Sequence, residues 1–144
     1  MTAVTHGWAT YPAPTTYLST EMNGQVAAAR VVGATITCAG NMWLDVEVSL
    51  AQQGVARTAN GGIDIYVLPI VATIAYGSAS LAPAAAHYRG RIEFDAAVTA
   101  RVNSLVRIPI GAGDFQVCEE NQTGQTLAAT GNILKYAMYK DQSD

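Results

Sequence analysis

The sequence predicts an all-β fold, an antiparallel β-sandwich, and three observations carry that prediction. Over residues 43–50, Leu44, Val46, Val48 and Leu50 interleave with Asp45, Glu47 and Ser49. A two-residue period of this kind marks a strand with one face in a core and the other in water. Short runs rich in β-branched and aromatic residues recur along the chain, punctuated by glycine, proline and asparagine, which is the spacing of a sandwich or barrel. No segment carries a strong helical period, and strands do not alternate with helices as a parallel α/β sheet would require.

Size and composition narrow the class. A chain of 144 residues is one domain by length, and it can bury roughly 70% of its unfolded surface without disulfides or metals. Charged residues are 13% and apolar residues 50% of the chain, where a charged share of about 25% is usual. So few charges leave part of the surface to be covered by other protein, or reflect the alanine-rich composition seen at 27–29 and 84–86. The net charge of −3 and the scattering of Arg30, Arg57, Arg89, Arg91, Arg101 and Arg107 argue against a nucleic-acid partner, whose phosphates demand a basic patch. The first residues lack the basic start and apolar run of a signal peptide, and no apolar stretch reaches the ~18 residues of a spanning helix. The expectation is synthesis in a cytoplasm, with no membrane partner.

Taken in order, residues 1–30 read as an extended N-terminal arm and 31–144 as the sandwich. In the arm, Trp8, Tyr11, Pro12, Pro14 and Tyr17 sit among threonines and alanines without a period. Prolines favour extended chain, and the aromatic rings need an apolar surface, on this domain or on a neighbour. Residues 31–38 are β-branched and predict a strand. The clear strand at 43–50 is followed by a polar connection at 52–58 and an Asn60-Gly61-Gly62 turn that tolerates positive φ. Residues 63–68 form the next strand, which Pro69 should end at an edge or bulge. Residues 77–90 are irregular, bracketed by Tyr76 and Tyr88, with a helical turn at 84–87 behind Pro83. Strands at 91–94, 97–102, 105–110 and 115–119 follow, then a loop from Asn121 and a closing strand at 133–139. The alternation points Val46, Val48, Ile65, Val67, Ile108, Phe115 and Val117 inward, and Asp45, Glu47 and Asp64 outward.

Chemistry is sparse. His6 and His87 have no second histidine or cysteine at ligand spacing, so no metal site is predicted. Cys38 and Cys118 lack basic flanks and CxxC spacing and read as buried thiols. The acid pairs Asp45/Glu47 and Glu93/Asp95 could each share a sheet face, as glycosidase carboxylates do, but they are the wet side of amphipathic strands. No nucleophile elbow, phosphate loop or dinucleotide fingerprint occurs. No cofactor and no catalytic residue is therefore expected, and the chain reads as a non-enzyme. The Asn121-Gln122-Thr123 sequon reads as loop polarity. Trp8, Tyr11, Tyr76 and Tyr88 lie outside clear strands and could form a sugar platform. With so little charge nearby they fit a protein interface better. Together with Tyr17 they are the candidate interface residues.

A resemblance gives the scaffold a role. Ile108-Pro109, Phe115-Gln116-Val117, residues 120–132 from Glu120-Asn121-Gln122-Thr123-Gly124 to Gly131-Asn132, and Leu134-Lys135-Tyr136 follow one order: a strand ending in proline, a Phe-centred strand, an Asn-x-Thr-Gly loop, a Gly-Asn turn and a Tyr-bearing final strand. In that order, and in Asp64-Ile65-Tyr66-Val67-Leu68-Pro69, the chain resembles small β-sandwich virion proteins of tailed bacteriophages. The resemblance implies a jelly-roll-like domain that cements or decorates the capsid exterior. It further implies binding to the major capsid protein, assembly as a homotrimer, and an arm over 2–20 that clasps a neighbour. A carbohydrate-binding or tail-adhesion module is the alternative.

Overall fold

The computed structural model describes residues 11–71, 74–75 and 82–140, with the side chains of 74 and 75 left aside. Among the described residues nine strands alternate with loops: β1 Thr15–Leu18, β2 Arg30–Val32, β3 Trp43–Leu50, β4 Gly62–Val71, β5 Ile74–Ala75, β6 Tyr88–Glu93, β7 Arg101–Pro109, β8 Phe115–Gln122 and β9 Ile133–Tyr139. Among the described residues the only helical element is a 3-10 turn, Ala85–His87, where the Pro83 signal predicts one. Every strand pair is antiparallel.

The strands form two sheets. One runs β1-β9-β3-β7, and the other runs β2-β8-β4, with β6 and then β5 along the far edge of β4. Successive strands alternate between the sheets except that β4, β5 and β6 lie in one, which is the order of an eight-stranded jelly roll with the short β5 added. The loops at 19–29, 51–61, 94–100 and 123–132 therefore meet at one end of the sandwich.

Between the sheets lie Leu18, Leu44, Val46, Val48, Ile63, Ile65, Ile92, Ile108, Phe115, Val117 and Leu134, all sealed from solvent. The whole inward set read from the alternation is in this core: Val46, Val48, Ile65, Val67, Ile108, Phe115 and Val117 are each at most 4% exposed. Asp45 and Glu47 face outward and half-exposed. Asp64 also points away from the core, but it is only 7% exposed, because Arg91 closes over it at 2.7 Å. Cys38 and Cys118 are both buried and free.

Several boundaries move. The segment expected to be arm includes β1, and Leu18, Met22 and Gln25 are buried. Its apolar residues are too few to show a period, yet β9 offers an open edge for them to pair with. Residues 31–38 contribute only the short β2 and one bridge from Ile36 to Phe115. In place of the two strands expected at 97–102 and 105–110 there is one, β7, which begins only at Arg101 and carries a bulge, while 97–100 are loop. β8 runs on to Gln122, past the expected loop start. Proline does not end β4, which continues to Val71. Ile70 donates its N–H to Asp114 beyond the start of β8, so the donor that Pro69 lacks faces the other edge. There β6 has stopped at Tyr66 and β5 begins only at Ile70, so no ladder bond is forfeited.

Phe115, 2% exposed, is the largest apolar side chain β8 directs into the core. Phe115→Ala should lower unfolding free energy by about 3–5 kcal/mol in urea titrations. A cost no greater than that of a surface change, about 0.5 kcal/mol, would contradict this packing.

Candidate functional site

The outer face of the β1-β9-β3-β7 sheet gathers side chains that the core does not explain. Trp43, Asp45 and Glu47 share that face of β3, opposite Tyr139, Ala137 and Lys135 of β9. On the other side of β3 the register with β7 slips: Leu44 opposes Ile108 and Val46 opposes Leu105, so Val106 and Arg107 together face Asp45. Two residues against one is a β-bulge, which twists an edge strand and re-aims its side chains. Arg107 adopts φ 57°, a left-handed conformation that costs a non-glycine residue roughly 1–2 kcal/mol.

Asp45 holds the bulge in place. Its Oδ1 accepts the Arg107 N–H at 2.6 Å and the Tyr139 hydroxyl at 3.2 Å. Its Oδ2 accepts the Tyr11 hydroxyl at 2.8 Å. Turned outward by the bulge, the Arg107 guanidinium lies over the Trp43 ring, 4.7 Å from its centre, a cation–π contact. The Tyr11 and Tyr139 rings meet at 6.0 Å, tilted by 54°. Burial, reinforced by the bond and the charge of Asp45, pushes the Tyr11 phenol up to about 12.

Beside this cluster runs a groove of about 120 Å³ between Tyr11 and Pro14 on one wall and Ser104 and Val106 on the other, floored by Glu47, Lys135 and Ala137. Val102 and Val106 stand 62% exposed on β7, with Met42 at 53% just before β3. Among the described residues β7 pairs with β3 alone, so its far edge presents backbone donors and acceptors in the manner of any open strand. Pro109, the bulge and the flanking Arg101 and Arg107 keep that edge from pairing indiscriminately.

The expected interface residues divide. Trp8 and Tyr76 lie outside the described residues. Tyr11 is 54% exposed and part of the cluster. Tyr17 is spent on its own domain: its hydroxyl donates to Ala34 at 2.5 Å and accepts the Val117 N–H at 3.2 Å, and its ring meets Tyr136 edge-on. Tyr88, 42% exposed, lies on the opposite sheet and meets the Tyr66 ring edge-on, with ring centres 5.5 Å apart. The sequence reading missed Trp43, Arg107, Val102 and Val106. A tryptophan on the wet face of a clear strand was the available signal, since nothing in the alternation asks for it there.

The other outer face is chemically closed. Arg30, Glu120, Asp64 and Arg91 form one row across β2, β8, β4 and β6. Asp64 and Glu120 are direct cross-strand neighbours, a repulsive arrangement, and each is neutralised from its far side. Arg30 holds Glu120 at 2.8 and 3.3 Å, and Arg91 holds Asp64 at 2.7 and 2.9 Å. These are two-pronged arginine–carboxylate pairs that engage both acids of the row. Asp95 is likewise engaged by Arg101 and Arg57, and Arg101 leads in drawing its carboxyl below the usual range. Among the described residues no three His, Cys, Asp or Glu side chains gather as a metal site. The Asn121 sequon is internal: the side chain donates to Gln25 and Gln125 carbonyls and accepts from Thr123, fully buried. No protein-family model, curated protein or solved structure matches the chain.

Replacing Asp45 by Asn removes the charge that favours the protonated phenol. The Tyr11 titration should then fall from about 12 towards its ordinary value of 10.0. Tyrosinate absorbance followed against pH, with Tyr11→Phe assigning the transition, measures it. An unmoved transition would mean that Asp45 does not hold Tyr11.

Proposed function

We propose that this chain is a non-enzymatic structural protein of a tailed-bacteriophage virion, a cement or decoration protein on the capsid exterior that binds the major capsid protein. The observation that carries the reading is the outward cluster on the β1-β9-β3-β7 sheet. It sets Trp43, Arg107 and Tyr11 beside exposed Val102 and Val106 and an open strand edge. Tryptophan, tyrosine and arginine dominate the energetics of protein interfaces, and jelly rolls are a recurrent form of viral capsid domains. The low charge of the chain and the resemblance of its C-terminal third to phage virion proteins point the same way. Homotrimeric assembly belongs to this proposal, while of the arm read over 2–20, residues 15–18 pair with β9 of their own domain and take no part in any clasp of a neighbouring subunit. Repeated over a symmetric shell, modest contacts of this kind add up to firm retention.

The carbohydrate reading has weaker support. Asp45 already receives three donors, and Arg107 lies across the Trp43 ring. Neither offers a sugar the wet aromatic platform and free carboxylate it needs.

Mass spectrometry of purified virions should find the chain at a fixed ratio to the major capsid protein. The double variant Val102→Asp/Val106→Asp, with unchanged circular dichroism, should lose at least about tenfold in affinity for capsids stripped of the protein, a difference of ~1.4 kcal/mol. Its absence from virions would reject the proposal. Undiminished binding by the variant would move the interface away from β7.

A further inference from the structure

One carboxyl group sits where neither the interface nor the charged row uses it. Along β8 the residues Phe115, Val117, Glu119 and Asn121 alternate onto the core-facing side, and Glu119 lies between Val31 of β2 and Ile65 of β4. It is fully sealed from solvent, and neither carboxyl oxygen has a hydrogen-bond donor. The side chain beside it is Gln25, from the loop that joins β1 to β2. Gln25 spends its Nε2 on the Ala29 carbonyl at 2.8 Å, and its buried Oε1 also lacks a partner. The Glu119 carboxyl oxygens and Gln25 Oε1 are thus enclosed without a hydrogen-bonded donor on any of them. Both groups are sealed from bulk solvent, and leaving both unpaired costs on the order of 1–3 kcal/mol each.

A single proton resolves the arrangement. We propose that Glu119 is a protonated carboxylic acid in the folded protein, that it donates to Gln25 Oε1, and that this proton latches the 19–29 loop onto the core. The loop is placed for such a role. The Gln25 carbonyl also accepts Asn121 Nδ2 at 3.0 Å and the Leu127 N–H at 2.9 Å, so Gln25 ties the 19–29 loop to the 123–132 loop at the same end of the sandwich.

No cation faces Glu119 to hold it ionised. On its own strand, Cys118 and Glu120 point to the opposite side of the sheet, where Glu120 takes Arg30. From β4, Asp64 points to that same outer side and takes Arg91, while Ile65 is the residue beside Glu119. From the facing sheet the inward residues are Leu18, Val46, Val48 and Leu134, with Tyr17 and Tyr136 the titratable side chains, and the Tyr17 hydroxyl is spent on Ala34 and Val117. In the loops, Glu21 is exposed and bonded to the Ser19 and Thr20 amides. The buried Arg57 serves Asp95 and the Thr99 carbonyl. Burial accordingly raises the Glu119 carboxyl from 4.5 to about 8, against an opposing contribution from the Gln25 side chain and with the neighbouring Glu120 charge adding to the rise.

The consequence has a defined sign. Below pH 4.5 folded and unfolded chains both carry the proton. Between 4.5 and about 8 only the folded chain does, so folding takes up a proton and weakens as pH rises, about tenfold in the folding equilibrium constant per pH unit. Above that window the loss is complete. The latch therefore favours mild acid and loosens towards alkaline pH.

Two measurements on the intact chain test this. Carboxyl carbon NMR of the wild-type protein, with the Glu119 resonance assigned by its disappearance in Glu119→Gln, should show a titration midpoint several units above the other glutamates. Urea titrations from pH 5 to pH 8 should show wild-type stability falling with pH while Glu119→Gln, which mimics the neutral acid, stays nearly flat. A Glu119 midpoint in the ordinary glutamate range overturns the proposal, and the wild-type measurement decides this even if the variant fails to fold. A Glu119→Gln protein that keeps the full wild-type slope overturns it as well.

Discussion

The pairing of β4 with β8 is the constraint on which the rest of the molecule depends. Gly62 to Pro69 lie in unbroken register against Gln122 to Phe115, and the pair is covered on both faces. Ile63, Ile65, Phe115 and Val117 fill the core, while Asp64, Leu68, Cys118 and Glu120 are also buried on the outward side. An antiparallel strand usually keeps one wet face. Where both faces are dry, every polar residue must find a partner or lose its charge. Both solutions occur here, one on each side of the same two strands.

On the outward side the solution is pairing. Two acids brought together by the β4–β8 register would repel, so β2 and β6 each supply an arginine that closes over one of them. The value of such pairs lies less in net stability than in the penalty for removing one partner, because a buried uncompensated charge is costly. On the inward side no arginine reaches Glu119, and neutralisation by a proton takes its place. The same register thus sets both the charged row and the core acid.

A two-layer sandwich cannot close all its edges, and this one concentrates its open surface along β7. The exposed valines, the bulge strained at Arg107 and the Trp43–Arg107 contact occur together on one sheet face. Strain of this kind persists only where surrounding contacts over-determine it, and Asp45 supplies them through its bonds to Arg107, Tyr139 and Tyr11. On the opposite face the polar groups are already engaged with one another, which leaves less for a partner to recognise. That asymmetry is why the proposed docking surface lies on the β1-β9-β3-β7 side.

Strand phase was legible from residue order. The alternation over 43–50 and 63–68 placed Val46, Val48, Ile65 and Val67 in the core correctly, because a side-chain period of two is a local property of extended backbone. The buried state of Cys38 and Cys118 was legible for a similar reason, the absence of any neighbour that would make a thiol reactive. The candidate site was not. Asp45 read as an ordinary wet-face acid, and Arg107 as one of six scattered arginines. Nothing local announces that a bulge 62 residues along the chain will bring the Arg107 amide to the Asp45 carboxylate. Glu119 read as the end of a strand. Its burial follows from β8 continuing to Gln122 between β2 and β4, a pairing choice that residues far apart in sequence make jointly. Residue order carries periodicity and turn chemistry, which act over a few bonds. Register, bulges and the neutralisation of buried charge are set between strands, where the partners exist only once the chain has folded.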